Sequence, residues 1–171
     1  MKSFDFFMDE ALEDLEESSM SRVAAKSDKG GLAHISSNRG DMSKKENDSR
    51  NKQLAKDIRG AGLPGPTKVT GSYVENDGTE GGRKVKEKSF AVSSGKKGKR
   101  KFKKAVEKLG KKYDQDSVLV QQKPKGQAKL KATNEGGKKD LKGWDGKVGS
   151  MKPGGKGEFQ TTVKNKSYTH E

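Results

Sequence analysis

The sequence has no cysteine. That excludes disulfides, thiolate zinc sites and cysteine nucleophiles. Histidine is almost as scarce: His34 and His170 stand near opposite ends of the 171 residues. Such a pair does not predict a histidine-based metal site, and no metal or cofactor is expected. Long apolar runs are missing, so no membrane-spanning helix is predicted. The first residues are acidic and lack a basic stretch leading into an apolar one, so no secretory signal is predicted. Core-forming residues are few. The chain has 9 Leu, 2 Ile, 10 Val and 6 Phe, 27 residues or about 16% of 171, a level at which high net charge usually signals disorder. Either much of the chain is unstructured, or a small core is economically patterned.

Charge is abundant. Lys and Arg number 38 against 24 Asp and Glu, a net +14. The average hides a split. Residues 1–17 hold Asp5, Asp9, Glu10, Glu13, Asp14, Glu16 and Glu17 against Lys2, or −6, so the remaining residues carry +20. The acidic head also places Phe4, Phe7, Met8, Ala11, Leu12 and Leu15 at i, i+3, i+4, i+7, i+8 and i+11, the stripe of an amphipathic helix. Residues 18–31 read as a flexible linker. A short helix on a leash either docks in a groove of a partner or packs back on its own domain.

Residues 32–133 read as a small α/β (or α+β) domain, a small mixed sheet with two main helices. Leu32–Ser36 is a predicted strand. Ser43 and Glu46 form a capping box that opens a helix to about Arg59, ended by Gly60 and Gly62. Strands follow at 68–74 and 89–92. A second helix over 98–113 sets Phe102, Ala105, Val106, Leu109 and Tyr113 on one stripe. Residues 117–121 and 128–132 are further strands. Residues 134–157 are rich in Gly and Lys and read as a partly disordered basic segment. Residues 158–171 read as a terminal strand or tail.

Two groups of side chains stand out. The second helix and its approach carry Lys96, Lys97, Lys99, Arg100, Lys101, Lys103, Lys104, Lys108, Lys111 and Lys112, with Glu107 the one acid. A face of one sign suits a polyanion, and lysine suits non-specific phosphate attraction rather than base reading. The bland reading is a solvated face. The second group is Asn38, Arg39, Glu46, Asn47 and Arg50, at a strand end and the next helix start. Glu75, Glu87, Gln115 and Asp116 join it if the sheet order allows. Carboxylates beside an arginine could do acid–base or phosphate work; the plainer reading is helix capping and a structural ion pair.

Part of this pattern is carried by Ser43, Glu46, Asn47 and Arg50, by Asp57–Ile58–Arg59–Gly60–Ala61–Gly62, by Glu87–Lys88–Ser89–Phe90–Ala91–Val92 and by Asp114–Gln115–Asp116–Ser117–Val118. In their order and spacing residues 32–121 resemble the phage and bacterial family called domain of unknown function 3293, which implies a fold and no activity. Residues 1–17 (MKSFDFFMDEALEDLEE) resemble the capsid-targeting sequences of internal head proteins of T-even-like phages. That resemblance implies cutting by a prohead protease after Glu13 or Glu17.

Charge and resemblance together predict a virion protein of a tailed phage. It would be brought into the prohead through contacts with scaffold or capsid proteins, processed, and bound non-specifically to packaged DNA as a +20 body. Its expected location is the virion interior, with the host cytoplasm before assembly or after ejection, and no membrane partner. Two alternatives stand beside it: a cytoplasmic nucleic-acid-associated host-takeover or regulatory protein, and a nucleotide-binding or enzymatic domain. Enzymatic activity is not the leading expectation.

Overall fold

Alternation of apolar and polar residues decides where each strand of this chain can sit. In the computed structural model, which describes residues 20–75, 83–154, 160–163 and 166–171, a helical segment at residues 20–29 (α1) leads into β1 (Leu32–Ile35). Next come α2 (Lys44–Gly60), β2 (Thr67–Glu75), β3 (Arg83–Ser93), α3 (Lys99–Lys112) and β4 (Ser117–Gln121). They are followed by β5 (Gln127–Ala132), α4 (Glu135–Asp140), β6 (Lys147–Pro153), β7 (Gln160–Val163) and β8 (Lys166–His170).

The strands close into a barrel in the order β1-β3-β2-β7-β8-β6-β5-β4, with every neighbouring pair antiparallel. This corrects the expectation of a small mixed sheet with two main helices. The two helices exist, but they cover one side of an eight-stranded antiparallel barrel. The sheet has no parallel pair, because each helix crosses over a strand that comes to lie between its two ends. Strands β4-β1-β3-β2 with α2 and α3 make the split β-α-β arrangement. Strands β5 to β8 then complete the circle, leaving no unpaired edge.

The chain has two cores, one on each face of the first four strands. Outside the barrel, Ala33, Ile35, Phe90, Val92, Val118 and Val120 pack under Leu54 and Ile58 of α2 and Phe102, Val106 and Leu109 of α3. The predicted stripe of α3 is the buried one. Burying each such side chain is worth about 1.5–3 kcal/mol. In the lumen, Leu32, Val69, Ala91, Val163 and Tyr168 meet Met20 and Val23 from α1. The strands shared by both cores are therefore apolar on both faces, which is why 118–120 reads as an unbroken apolar run.

Helix α1 closes one end of the barrel. Ser27 donates to Gln121 Oε1 at 2.9 Å, and Gln121 Nε2 returns a bond to the Ser27 carbonyl at 2.9 Å. Residues 18–31 were expected to be linker; over 20–29 they are helical and half-buried in places. Residues 134–157, expected to be partly disordered, supply α4 and β6. Gly137 lets α4 lie against β4, since a Cβ there would stand 1.7 Å from the Asp116 carbonyl oxygen. The acidic head, with Glu13 and Glu17, lies outside the described residues. Among the described residues no helix is long and apolar enough to cross a membrane.

Candidate functional site

The end of the lumen away from α1 is polar. Residues directly opposite one another in an antiparallel ladder share a face. His34 of β1 pairs with Ala91 of β3, a lumen residue, so His34 points inward. Ser36 and, two steps along β3 from Ser89, Glu87 follow on the same face. Tyr168 is a lumen residue of β8, and His170, two positions on, shares its face.

At the rim, Ser36 Oγ lies 3.0 Å from Glu87 Oε1 and 2.8 Å from the Lys88 carbonyl. Burial pushes the Glu87 carboxyl above its usual range. The Ser36 hydroxyl opposes that shift, and the nearby charge of Asp116 adds to it. Asp116 itself is exposed and accepts from Asn134 Nδ2 at 2.9 Å. The rim thus presents the half-buried Glu87 carboxylate, with the charge of Asp116 acting on it, which suits a cation. Deeper in, His34 Nε2 meets Tyr168 OH at 2.5 Å. The His170 ring stands edge-on to His34, with centroids 5.3 Å apart. Burial lowers the basicity of both rings, that of His170 to about 4, and the neighbouring His170 adds to the effect on His34. Burial also raises the Tyr168 hydroxyl.

The polar group predicted from the sequence divides. Asn38, Arg39, Asn47, Arg50, Gln115 and Asp116 do gather at this end of the barrel, but most of them stitch loops together. Arg50 donates to the carbonyls of Ser37 (2.7 Å) and Tyr113 (2.5 Å). Gln115 donates to the Asn38 carbonyl at 3.1 Å. Asn47 Oδ1 accepts from the Arg39 backbone at 2.9 Å. Arg39 pairs with Asp41 and Asp114 at 3.2 and 3.1 Å. Glu46 is exposed, and its backbone N–H donates to Ser43 Oγ as the cap requires. Glu75 faces Arg83 in the β2–β3 ladder, while Glu87 faces Gly71. Four residues of strand separate those levels, about 13 Å, so Glu75 does not join the group.

The basic side chains at 96–112 line the outer surface of α3 and its approach. Lys103 approaches Glu107 at 3.9 Å and Lys112 pairs with Asp57 at 2.8 Å. Lys96, Lys99, Arg100, Lys101, Lys104, Lys108 and Lys111 are exposed, and Lys97 is half-buried. Sequence reasoning missed Ser36, Tyr168 and the meeting of the two histidines. The one local signal was alternation, Leu32/His34/Ser36 on one strand and Tyr168/His170 on the other.

Residues 33–171 match the model of the S-adenosylmethionine lyase family. No curated protein matches the chain. Among solved structures it is similar to a phage SAM lyase in complex with S-methyl-5'-thioadenosine, at 20% identity and a TM-score of 0.38, over 60% of this chain and 88% of that one. The family match covers the barrel from the second residue of β1 onward and overturns the expected relationships. Neither the domain of unknown function 3293 nor an internal head protein is found. The reading as a packaged, DNA-binding virion protein falls with them, as does the ranking of enzymatic activity behind it. Of the functions considered from sequence, the enzymatic domain is the one that stands.

Proposed function

The chain belongs to the S-adenosylmethionine lyase family, and from that premise we propose that it cleaves S-adenosylmethionine at a carbon–sulfur bond, with Glu87 holding the cationic part of the substrate. The observation that carries this reading is the family match over residues 33–171, which runs from the second residue of β1 through β8.

The chemistry asks little of the protein. A sulfonium is already an activated leaving group, and heterolysis of its bond to the amino-acid side chain releases a neutral thioether, S-methyl-5'-thioadenosine. The four-carbon fragment left behind balances without water or an oxidant. It leaves as a lactone, formed by its own carboxylate on the cleaved carbon, or as an unsaturated amino acid after losing a proton. Along the lactone route two opposite charges disappear, so transfer out of water favours reaction.

Glu87 and Ser36 fit the binding part of this task. The Glu87 carboxylate is half-buried, held by the serine hydroxyl, and close to the charge of Asp116. An ammonium or sulfonium placed there gains more than it would in water. The test is direct. Purified chain is incubated with S-adenosylmethionine and the products are separated by chromatography and weighed. Thioether release together with a four-carbon product supports the reading, and that product's mass and reactivity tell lactone from unsaturated acid. Intact substrate after long incubation with folded protein overturns it.

A further inference from the structure

His34 and His170 are the only histidines of the chain, and the barrel brings them together. Strand β1 is not a neighbour of β8 in the sheet order, so the two rings meet across the lumen. Their centroids are 5.3 Å apart and their planes stand at 84°. Nδ1 of each ring is buried without a hydrogen-bond partner, and no other buried side-chain nitrogen or oxygen among the described residues shares that condition. Buried polar atoms are nearly always paired, and two such exceptions on neighbouring rings call for a common partner.

We propose that His34 and His170 bind a late first-row transition cation in the barrel lumen, each through Nδ1. Two observations carry this. The first is spacing. Two imidazoles that share a tetrahedral cation at about 2.1 Å each have ring centres about 5 Å apart, the separation found here. The second is the outer partner. His34 Nε2 is tied to Tyr168 OH at 2.5 Å, and Thr161 bonds the same hydroxyl. In the tautomer whose Nε2–H donates to the tyrosine oxygen, Nδ1 carries the lone pair, and the ring is held in place as metal-bound histidines usually are.

The donor set selects the ion. Imidazole nitrogen suits zinc, copper, nickel or cobalt rather than magnesium or calcium. Among the described residues no group of three or more His, Cys, Asp or Glu is placed around one ion. The protein therefore supplies two nitrogens, and solvent completes the shell. This site is independent of the proposed lyase reaction, which needs no metal.

The test uses the full-length, untagged chain, stripped with a chelator and titrated separately with Co2+, Zn2+ and Mg2+. The expected result is one Co2+ or Zn2+ per chain by calorimetry, a visible Co2+ absorption of a four-coordinate site, a raised melting temperature and no response to Mg2+. Because the chain has no other histidine and no cysteine, His170→Ala should lower Co2+ affinity at least tenfold. His170→Gln, which keeps a neutral polar side chain of similar reach, serves if the alanine variant does not fold. Tyr168→Phe should retain the ion and bind it more weakly. Absence of bound Co2+ and Zn2+, which would leave trapped water as the partner of the two nitrogens, overturns the proposal. So does Co2+ affinity unchanged in a folded His170 variant.

Discussion

Ser36 and Glu87 meet across the β1–β3 ladder, the serine Oγ donating to the carboxylate Oε1 at 3.0 Å. The hydroxyl opposes the upward shift that burial imposes on this carboxyl. The same pair joins the sheet's first strand to the rim where the substrate's cation is proposed to sit.

If Glu87 binds that cation, Glu87→Gln should lower kcat/KM for S-adenosylmethionine by at least tenfold, about 1.4 kcal/mol of lost transition-state binding. Ser36→Ala should cost less. The direction of the pKa shift adds a signature. Because the Glu87 carboxyl lies above its ordinary value of 4.5, activity should fall with acid through a pKa higher than that of a free glutamate. The Gln variant should lack this limb. Burying the ionised carboxylate opposes folding at neutral pH, so Glu87→Gln should melt no lower than the parent. A pH–rate profile and a thermal melt check both points.

Acid should unfold the barrel early. In the unfolded chain His170 takes a proton near 6.5, whereas in the fold it does so only at about 4. Between those values the unfolded state binds the extra proton, so stability falls as pH drops from 6.5 toward 4. The window is worth about 3 kcal/mol for this one ring. His34 shifts in the same direction. Urea midpoints at pH 7 and pH 4.5 should differ, and His170→Gln should shrink the difference.

Arg50 ties two loops to α2, donating to the carbonyls of Ser37 and Tyr113 and lying over the Tyr113 ring at 5.3 Å. Arg50→Ala should therefore destabilise the chain by about 2–3 kcal/mol, read from denaturant unfolding. Turnover per folded molecule should stay near that of the parent. A large loss of kcat with stability intact would instead make Arg50 part of the reaction.

Phe102 is fully buried under α3, while Lys104, two positions on, is exposed. Phe102→Ala should cost about 3–5 kcal/mol, and Lys104→Ala within about 0.5 kcal/mol. Paired urea melts distinguish them.

Much of the local structure is legible in the sequence. The capping pair Ser43 and Glu46 marks the start of α2, and the Phe102–Val106–Leu109 stripe marks the buried face of α3. The run at 118–120 marks a strand covered on both sides. Charge pointed toward packaged DNA, whereas the family match points to an enzyme. The lysines of α3 lie on the face turned to solvent, opposite the face that holds the core, and this pattern says nothing of catalysis. Asn38, Arg39 and Gln115 were grouped correctly in space, since they flank adjacent strands, but their polar atoms are mostly spent on backbone groups.

By itself the sequence determined which segments coil and which extend, because helical period, strand alternation and caps act over a few residues. It also determined that any imidazole chemistry must fall to His34 and His170, and that no thiol can take part. Only the tertiary structure decided that the sheet closes. Closure depends on registers between segments distant along the chain, such as β2 with β7 and β4 with β1, and no local pattern encodes them. That closure turns alternate residues of β1, β3 and β8 into one lumen. It is the physical reason that two histidines near opposite ends of the chain stand 5.3 Å apart.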